Sequence, residues 1–174
     1  MFDPTAYENM KVVLEGALYD RDLADEIAII DRDDIVNLAK LSRFYKITFK
    51  TTFAPAVTVI LIMKASLENL SSELLPKVLS SSKAGCEIIV QFLLPWNDDK
   101  EFFIELDHIA KVIWGAERTI KYKLISELQE ESVTTCEVTL LFNRLVYEEQ
   151  IDDLVVMIDY MVQTVRQIDH VLTR

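Results

Sequence analysis

The clearest pattern in the chain lies between Arg118 and Leu145. Over 119–124 and again over 136–142 the apolar residues fall mostly on even numbers. A period of two marks strands with one buried face. Ile120, Tyr122, Leu124 and Leu128 share a face with Cys136, Val138, Leu140 and Phe142. Lys121, Lys123 and Glu127 share the other with Thr135, Glu137 and Thr139. Opposed residues of an antiparallel pair lie on one face, so even must oppose even. The connection, placed within 129–133, then has an odd number of residues or is accompanied by a bulge. It contains no Gly, which favours about five residues over a tight primed turn. Lys121 and Lys123 come near Thr139, Glu137 and Leu141 and read as a solvated charged face.

A second hairpin has its buried parity on odd numbers. Tyr45, Ile47 and Phe49 alternate with Lys46, Thr48 and Lys50, and Val57, Val59, Leu61 and Met63 share one parity of the next strand. Cys86, Ile88, Val90, Phe92 and Leu94 make one face of a strand that ends at Pro95. Residues 26–30 read as a short, well-buried strand. Near the N-terminus, Asp3 and Pro4 suit the cap and first position of one helical turn. A strand is expected from about Lys11 to Tyr19, where Val12, Leu14, Gly16 and Leu18 alternate. The same segment also fits a helical stripe through Tyr7, Met10, Leu14 and Ala17, and the sequence leaves both open.

Four further helices are expected. Asp31 reads as the cap of one, with acidic residues near its positive end and Ile35, Leu38, Ala39 and Ser42 at helical spacing. Ser66 caps the next, with Leu67, Leu70 and Leu74 as its stripe, and Pro76 stops or kinks it. Asp98 and Glu101 have capping-box spacing for a helix over 99–114, with Phe102, Leu106, Ile109 and Ile113 on its stripe and Gly115 after its end. The last begins near Glu148 and carries Ile151, Leu154, Ile158, Met161, Val165, Ile168 and Leu172. Three heptads fit a coiled coil, but Val155 and Val162 widen the stripe toward a helix lying across a sheet, the reading adopted here. The small residues of 80–85 make the best linker.

This order of elements predicts an α+β chain with a mixed, largely antiparallel sheet and helices packed on it. It also repeats: strand, helix, strand, strand, helix from Glu26 onward, and the same from Cys86. A single domain over 1–174 is expected, with two β-α-β-β-α half-units at 1–82 and 85–174 and an extra N-terminal strand. One feature disturbs this scheme. Ile60, Ile62, Ile89, Leu93, Leu141 and Leu145 occupy the strand parity that should face water. Full burial of each is worth roughly 1.5–3 kcal/mol. Either the half-units cover each other, or helices lie on both faces, or a partner covers the surface.

Composition narrows the function classes. Of 174 residues, 51% are hydrophobic and only 3 are Gly and 4 Pro, which argues against disorder. The net charge of -11 opposes binding to nucleic acid or to anionic membranes, both of which need clustered Lys and Arg. The first residues lack the basic and apolar regions of a secretion signal, and the apolar run 56–63 is too short to span a membrane. Cys86 and Cys136 fall on buried parities, as free thiols of a cytoplasmic protein do.

Chemistry finds little purchase. The sequence has no Gly-rich phosphate loop, nucleophile elbow or zinc-binding cysteine set. Glu101, Glu105 and His108 share a helical face with half the spacing of a di-iron site, but His170 follows Gln167 rather than Glu and the other half is missing. Asp20, Asp22, Asp25 and Glu26 lack the turn Gly of a calcium loop and read as loop acidity. Trp96, between a strand and a helix, could stack on a ligand or close the core. The expectation is a small acidic cytoplasmic interaction module without catalytic activity or cofactor, homodimeric and able to bind another protein. Its interaction surface comprises Ile60, Ile62, Ile89, Leu93, Leu141 and Leu145. The alternative is a small-molecule sensor or enzyme with a pocket near Trp96 and the loop from Asp20 to Glu26.

Overall fold

A computed structural model describes residues 5–74, 82–126 and 134–174. Its helices are α1 (Thr5–Leu23), α2 (Leu67–Ser72), α3 (Lys100–Trp114) and α4 (Ile151–Leu172). Its strands are β1 (Ile27–Asn37), β2 (Ser42–Thr51), β3 (Ala54–Ala65), β4 (Cys86–Pro95), β5 (Thr119–Ser126) and β6 (Thr134–Val146). The strands form one sheet in the order β1-β2-β3-β4-β6-β5. Every neighbouring pair is antiparallel, so the sheet is not mixed. The chain is α+β, with the helices packed on the sheet.

Both predicted hairpins form in the predicted register. Tyr45 pairs with Met63, Ile47 with Leu61 and Phe49 with Val59, odd on odd, and all six are buried. Ile120 pairs with Leu140, Tyr122 with Val138 and Leu124 with Cys136, even on even. Their connection lies outside the described residues, as do Asp3, Pro4, Pro76, Glu127, Leu128 and part of the expected linker.

Two expected elements are different in kind. The segment from Lys11 to Tyr19 is helical, inside a single helix α1. Leu14 and Leu18 satisfy both periodicities, but only a helix also buries Tyr7 and Met10. Val12 and Val13 are left in solvent, 55% and 38% exposed. The second correction concerns 31–42, where β1 continues through Asp31, Asp33 and Asp34 and turns into β2 in place of the expected helix. Asn37 closes this turn by accepting the N–H groups of Ala39 and Lys40 through its side-chain oxygen. The acidic run is tolerated because it lies on an edge strand and finds bases. Lys46 Nζ is 2.9 Å from Asp31 and 2.6 Å from Asp33, Arg32 pairs with Glu15, and Asp34 meets Lys11 and Arg43. A bulge between Ile29 and Asp31 reverses the parity, so Arg32 and Asp34 turn toward α1. β1 is therefore long and largely exposed, not short and buried. The first half reads α-β-β-β-α, and only the second has the β-α-β-β-α order. The expected pair of like units and the N-terminal strand are not formed.

The helical layer rests on β2, β3, β4 and β6 through one continuous core. α4 buries Leu154, Met157, Ile158, Met161, Val162, Val165 and Ile168, a stripe wider than a coiled-coil seam and suited to a sheet. Trp114 joins α3 to α4 by donating its indole N–H to Thr164 Oγ1 at 2.9 Å. In α2 the Ser66 cap forms as expected with Asn69, while only Leu70 of the predicted stripe is buried. α3 is capped by Asp99, which accepts the Glu101 N–H one residue later than expected, and Asp98 accepts the Trp96 indole N–H. Gly115 ends it at φ 85°, a left-handed geometry that suits glycine. Cys86 and Cys136 are buried free thiols, pushed up by burial to about 12 and about 11. No helix among the described residues is long and apolar enough to cross a membrane.

Two outcomes follow from this packing. Ile158 has no exposure under α4, so Ile158→Lys should abolish cooperative thermal unfolding, at a cost of about 4 kcal/mol or more. At the β1 edge, burial opposes ionisation of Asp34, but bonds from Lys11 and Arg43 win and hold its pKa below the ordinary value. A depressed carboxyl stabilises the fold above its unfolded pKa, about 3.9, and that contribution is lost as pH falls through the folded value. Asp34→Asn should therefore be less stable than the parent protein in urea melts at about pH 7. The difference should close as pH falls through the folded pKa of Asp34, below which both forms are neutral.

Candidate functional site

One face of the sheet carries the helices. The other is uncovered among the described residues, and all six residues of the expected interaction surface lie on it. Their positions follow from the register. Ile62, Ile89 and Leu141 stand side by side on β3, β4 and β6. Next to that row, Ile60 is followed by Gln91 and Thr139. Beyond it, Thr58 is followed by Leu93 and Glu137. On the other side of the Ile62 row, Lys64 is followed by Glu87 and Leu145. Two extra residues in β6, where Asn143 adopts φ 57°, separate Leu141 from Leu145 and keep both on this face.

Ile62 and Ile89 are only 9% and 7% exposed although none of the described helices covers them. Cross-strand neighbours crowd them from the sides. Ile60, Leu93, Leu141 and Leu145 remain partly exposed. Phe44 and Ile35, paired on β2 and β1, extend the apolar zone along the row of Lys64. Sequence reasoning missed both. The spacing of Ile35 with Leu38 and Ser42 predicts a helix, and the alternation that predicts the next strand starts at Tyr45, after Phe44. The parity that Phe44 shares with Lys46 and Thr48 was the available signal.

Charges border the apolar centre in a regular pattern. On β1 and β2, Asp31 and Asp33 flank Lys46, while Lys50 donates to the Pro55 carbonyl at 2.8 Å. Lys64 lies over the Phe44 ring, 5.8 Å from its centroid. On the far side, Lys121 pairs with Thr139 and Lys123 with Glu137. Gln91 donates to Thr139 Oγ1 at 3.1 Å, which satisfies the polar pair nearest the centre. One end of the face opens into a broad concavity of about 1030 Å³, lined by Ile35, Phe44, Lys64, Leu141, Arg144 and Leu145 among others. The face is thus largely apolar at its middle, with both charge signs around it.

The other candidate residues are engaged elsewhere. Trp96 packs edge-on against Phe102 and Phe103, with centroids at 5.6 and 6.4 Å, and donates its N–H to Asp98. It closes the end of the helical layer. Asp20 and Asp22 lie in the last turn of α1 and not in the expected loop, Asp22 accepts the backbone N–H of Ile29, and Glu26 pairs with Arg21, so residues 24–26 alone join α1 to β1. Glu105 takes Arg174, whereas Glu101 and His108 are exposed on α3. No group of three or more His, Cys, Asp or Glu is placed to hold a metal ion among the described residues.

Side chains on the open face can change without disturbing the helical layer. Ile62→Lys combined with Leu141→Lys should leave a cooperatively folded protein, destabilised by about 1–3 kcal/mol, since lysine stems can lie along the face with their ammonium groups in water. Far-UV circular dichroism and urea melts check this. Loss of the fold would show instead that this face is part of the core. Comparison of the chain with protein-family models, with curated proteins and with solved structures found no match to any of them.

Proposed function

We propose that this chain is a non-catalytic protein-interaction module whose docking surface is the open sheet face. One observation carries the reading: six apolar side chains, drawn from β3, β4 and β6, gather on the face that the helices leave uncovered. Contiguous apolar surface of this kind, rimmed by polar groups, marks interaction sites. The mixed charges of the rim suit another protein better than a nucleic acid or an anionic membrane, as does the net charge of -11. A ligand pocket near Trp96 and the loop from Asp20 to Glu26 has weaker support, because both are occupied by internal bonds.

Site-specific photocrosslinking in cells that express the chain tests the reading. A photoreactive residue replacing Gln91, at the middle of the open face, should form covalent adducts with protein. The same group replacing Gln163, exposed on α4, should form few. Adding Ile62→Lys and Leu141→Lys should remove about 90% or more of the Gln91 adducts, since reversing the centre of an interface costs at least one factor of ten in affinity. Adducts in equal yield at both positions, or at neither, would overturn the proposal.

A further inference from the structure

We infer that the occupant of the open face is a second copy of this chain, docked face to face about a two-fold axis that runs along the strands between β3 and β4. The inference rests on the open face being a docking surface and adds the partner and its register. The axis position comes from the sheet itself, which has β1, β2 and β3 on one side of that line and β4, β6 and β5 on the other. Rotation about it lays β3 over β4, β2 over β6 and β1 over β5 of the second copy. Residues in one cross-strand row stay in that row.

The side chains then meet in complementary pairs. Ile62 faces Ile89 of the second copy, and Phe44 faces its Leu145. Lys64 faces Glu87, Lys50 faces Glu137, and Asp31 faces Lys121, each in the row that the register assigns. The symmetry doubles every one of these contacts. A two-fold axis across the strands does the opposite. It lays each strand on its own copy, so with the axis in the row of Asp31 and Lys121, Asp31 meets Asp31, Lys121 meets Lys121 and Lys46 meets Lys50. Charge thus selects one axis direction over the other. Twisted sheets pack with strands about 30° apart, so the axis lies at half that angle to the strands and the pairs nearest it are held closest.

The area is also adequate. Six strands about 4.8 Å apart, over four rows about 6.7 Å apart, give a face of roughly 700 Å² on each copy. A stable interface of standard size buries about 800 Å² per partner. The helical layers, which carry much of the acidic excess, would lie on the two outer surfaces, away from each other.

Charge reversal tests the register through two variant chains. One carries Lys50→Glu and Lys64→Glu, the other Glu87→Lys and Glu137→Lys. The parent protein should sediment at twice its 20.1 kDa chain mass at micromolar concentration. Each variant alone should self-associate about 100-fold or more weakly, because like charges face each other. An equimolar mixture should recover a one-to-one dimer, since every reversed pair is then opposite in sign. Recovery in the mixture separates contacts between chains from the neighbouring Lys64 and Glu87 within one chain. If either double variant fails to fold by circular dichroism, Lys50→Glu and Glu137→Lys alone make the same comparison. A parent protein that stays monomeric at high micromolar concentration would overturn the inference. So would variants that still self-associate, or a mixture that does not. Gln91 adducts with a different protein, alongside a monomeric parent, would sink the dimer and leave the docking surface standing.

Discussion

β3 and β4, at the centre of the sheet, are apolar on both parities, and the helices can cover only one of them. Val59, Leu61 and Met63 on β3, with Ile88, Val90 and Phe92 on β4, meet the helical layer and are almost wholly buried. Ile60, Ile62, Ile89 and Leu93 point the other way. In an antiparallel sheet of this kind one apolar face makes a core and the other normally meets water. Here the covered face anchors α1, α3 and α4, while Ile60, Ile62, Ile89 and Leu93 have no helix over them among the described residues. The candidate site is a direct product of that imbalance.

The edges of the sheet show how charge is made compatible with this arrangement. β1 carries four charged residues in succession, yet each finds a partner of opposite sign on β2 or α1. Exposed ion pairs contribute little individually, about 0–1 kcal/mol. Their more important effect is to let an acidic run remain extended at an edge, where charge also discourages further strand pairing. At the other end of the helical layer, aromatic contacts do the joining. Trp114 lies against Phe92, Phe142 and Tyr160 and ties the sheet to α3 and α4 at one point.

Much of the candidate site could be read in the sequence because strand parity is a local property. Once β3, β4 and β6 are recognised as strands with one buried parity, Ile60, Ile62, Ile89, Leu93, Leu141 and Leu145 must share the opposite faces of those strands. That these faces form one continuous surface was not local. It required β4 to sit between β3 and β6, so that Ile62, Ile89 and Leu141 became neighbours. Ile35 and Phe44 escaped notice because the bulge after Ile29 and the tight turn after Asn37 changed both the element and the parity at that edge. The charge pattern around the apolar centre was equally invisible, since its members come from all six strands.

By itself the sequence determined both hairpins, their registers, β4, the Ser66 cap, the Gly115 stop and the wide apolar stripe of the last helix. Each depends on residues close together in the chain, through a period of two, a period near 3.6, or a cap. Only the tertiary structure decided whether Leu14 belonged to a helix or a strand, because the two templates share that residue and differ in whether Tyr7 and Met10 reach the core. It also decided that Asp31, Asp33 and Asp34 extend a strand, since the bases that neutralise them arrive from β2 and α1. And it placed the helices on one side of the sheet, a choice set by which apolar faces meet across long separations in the chain.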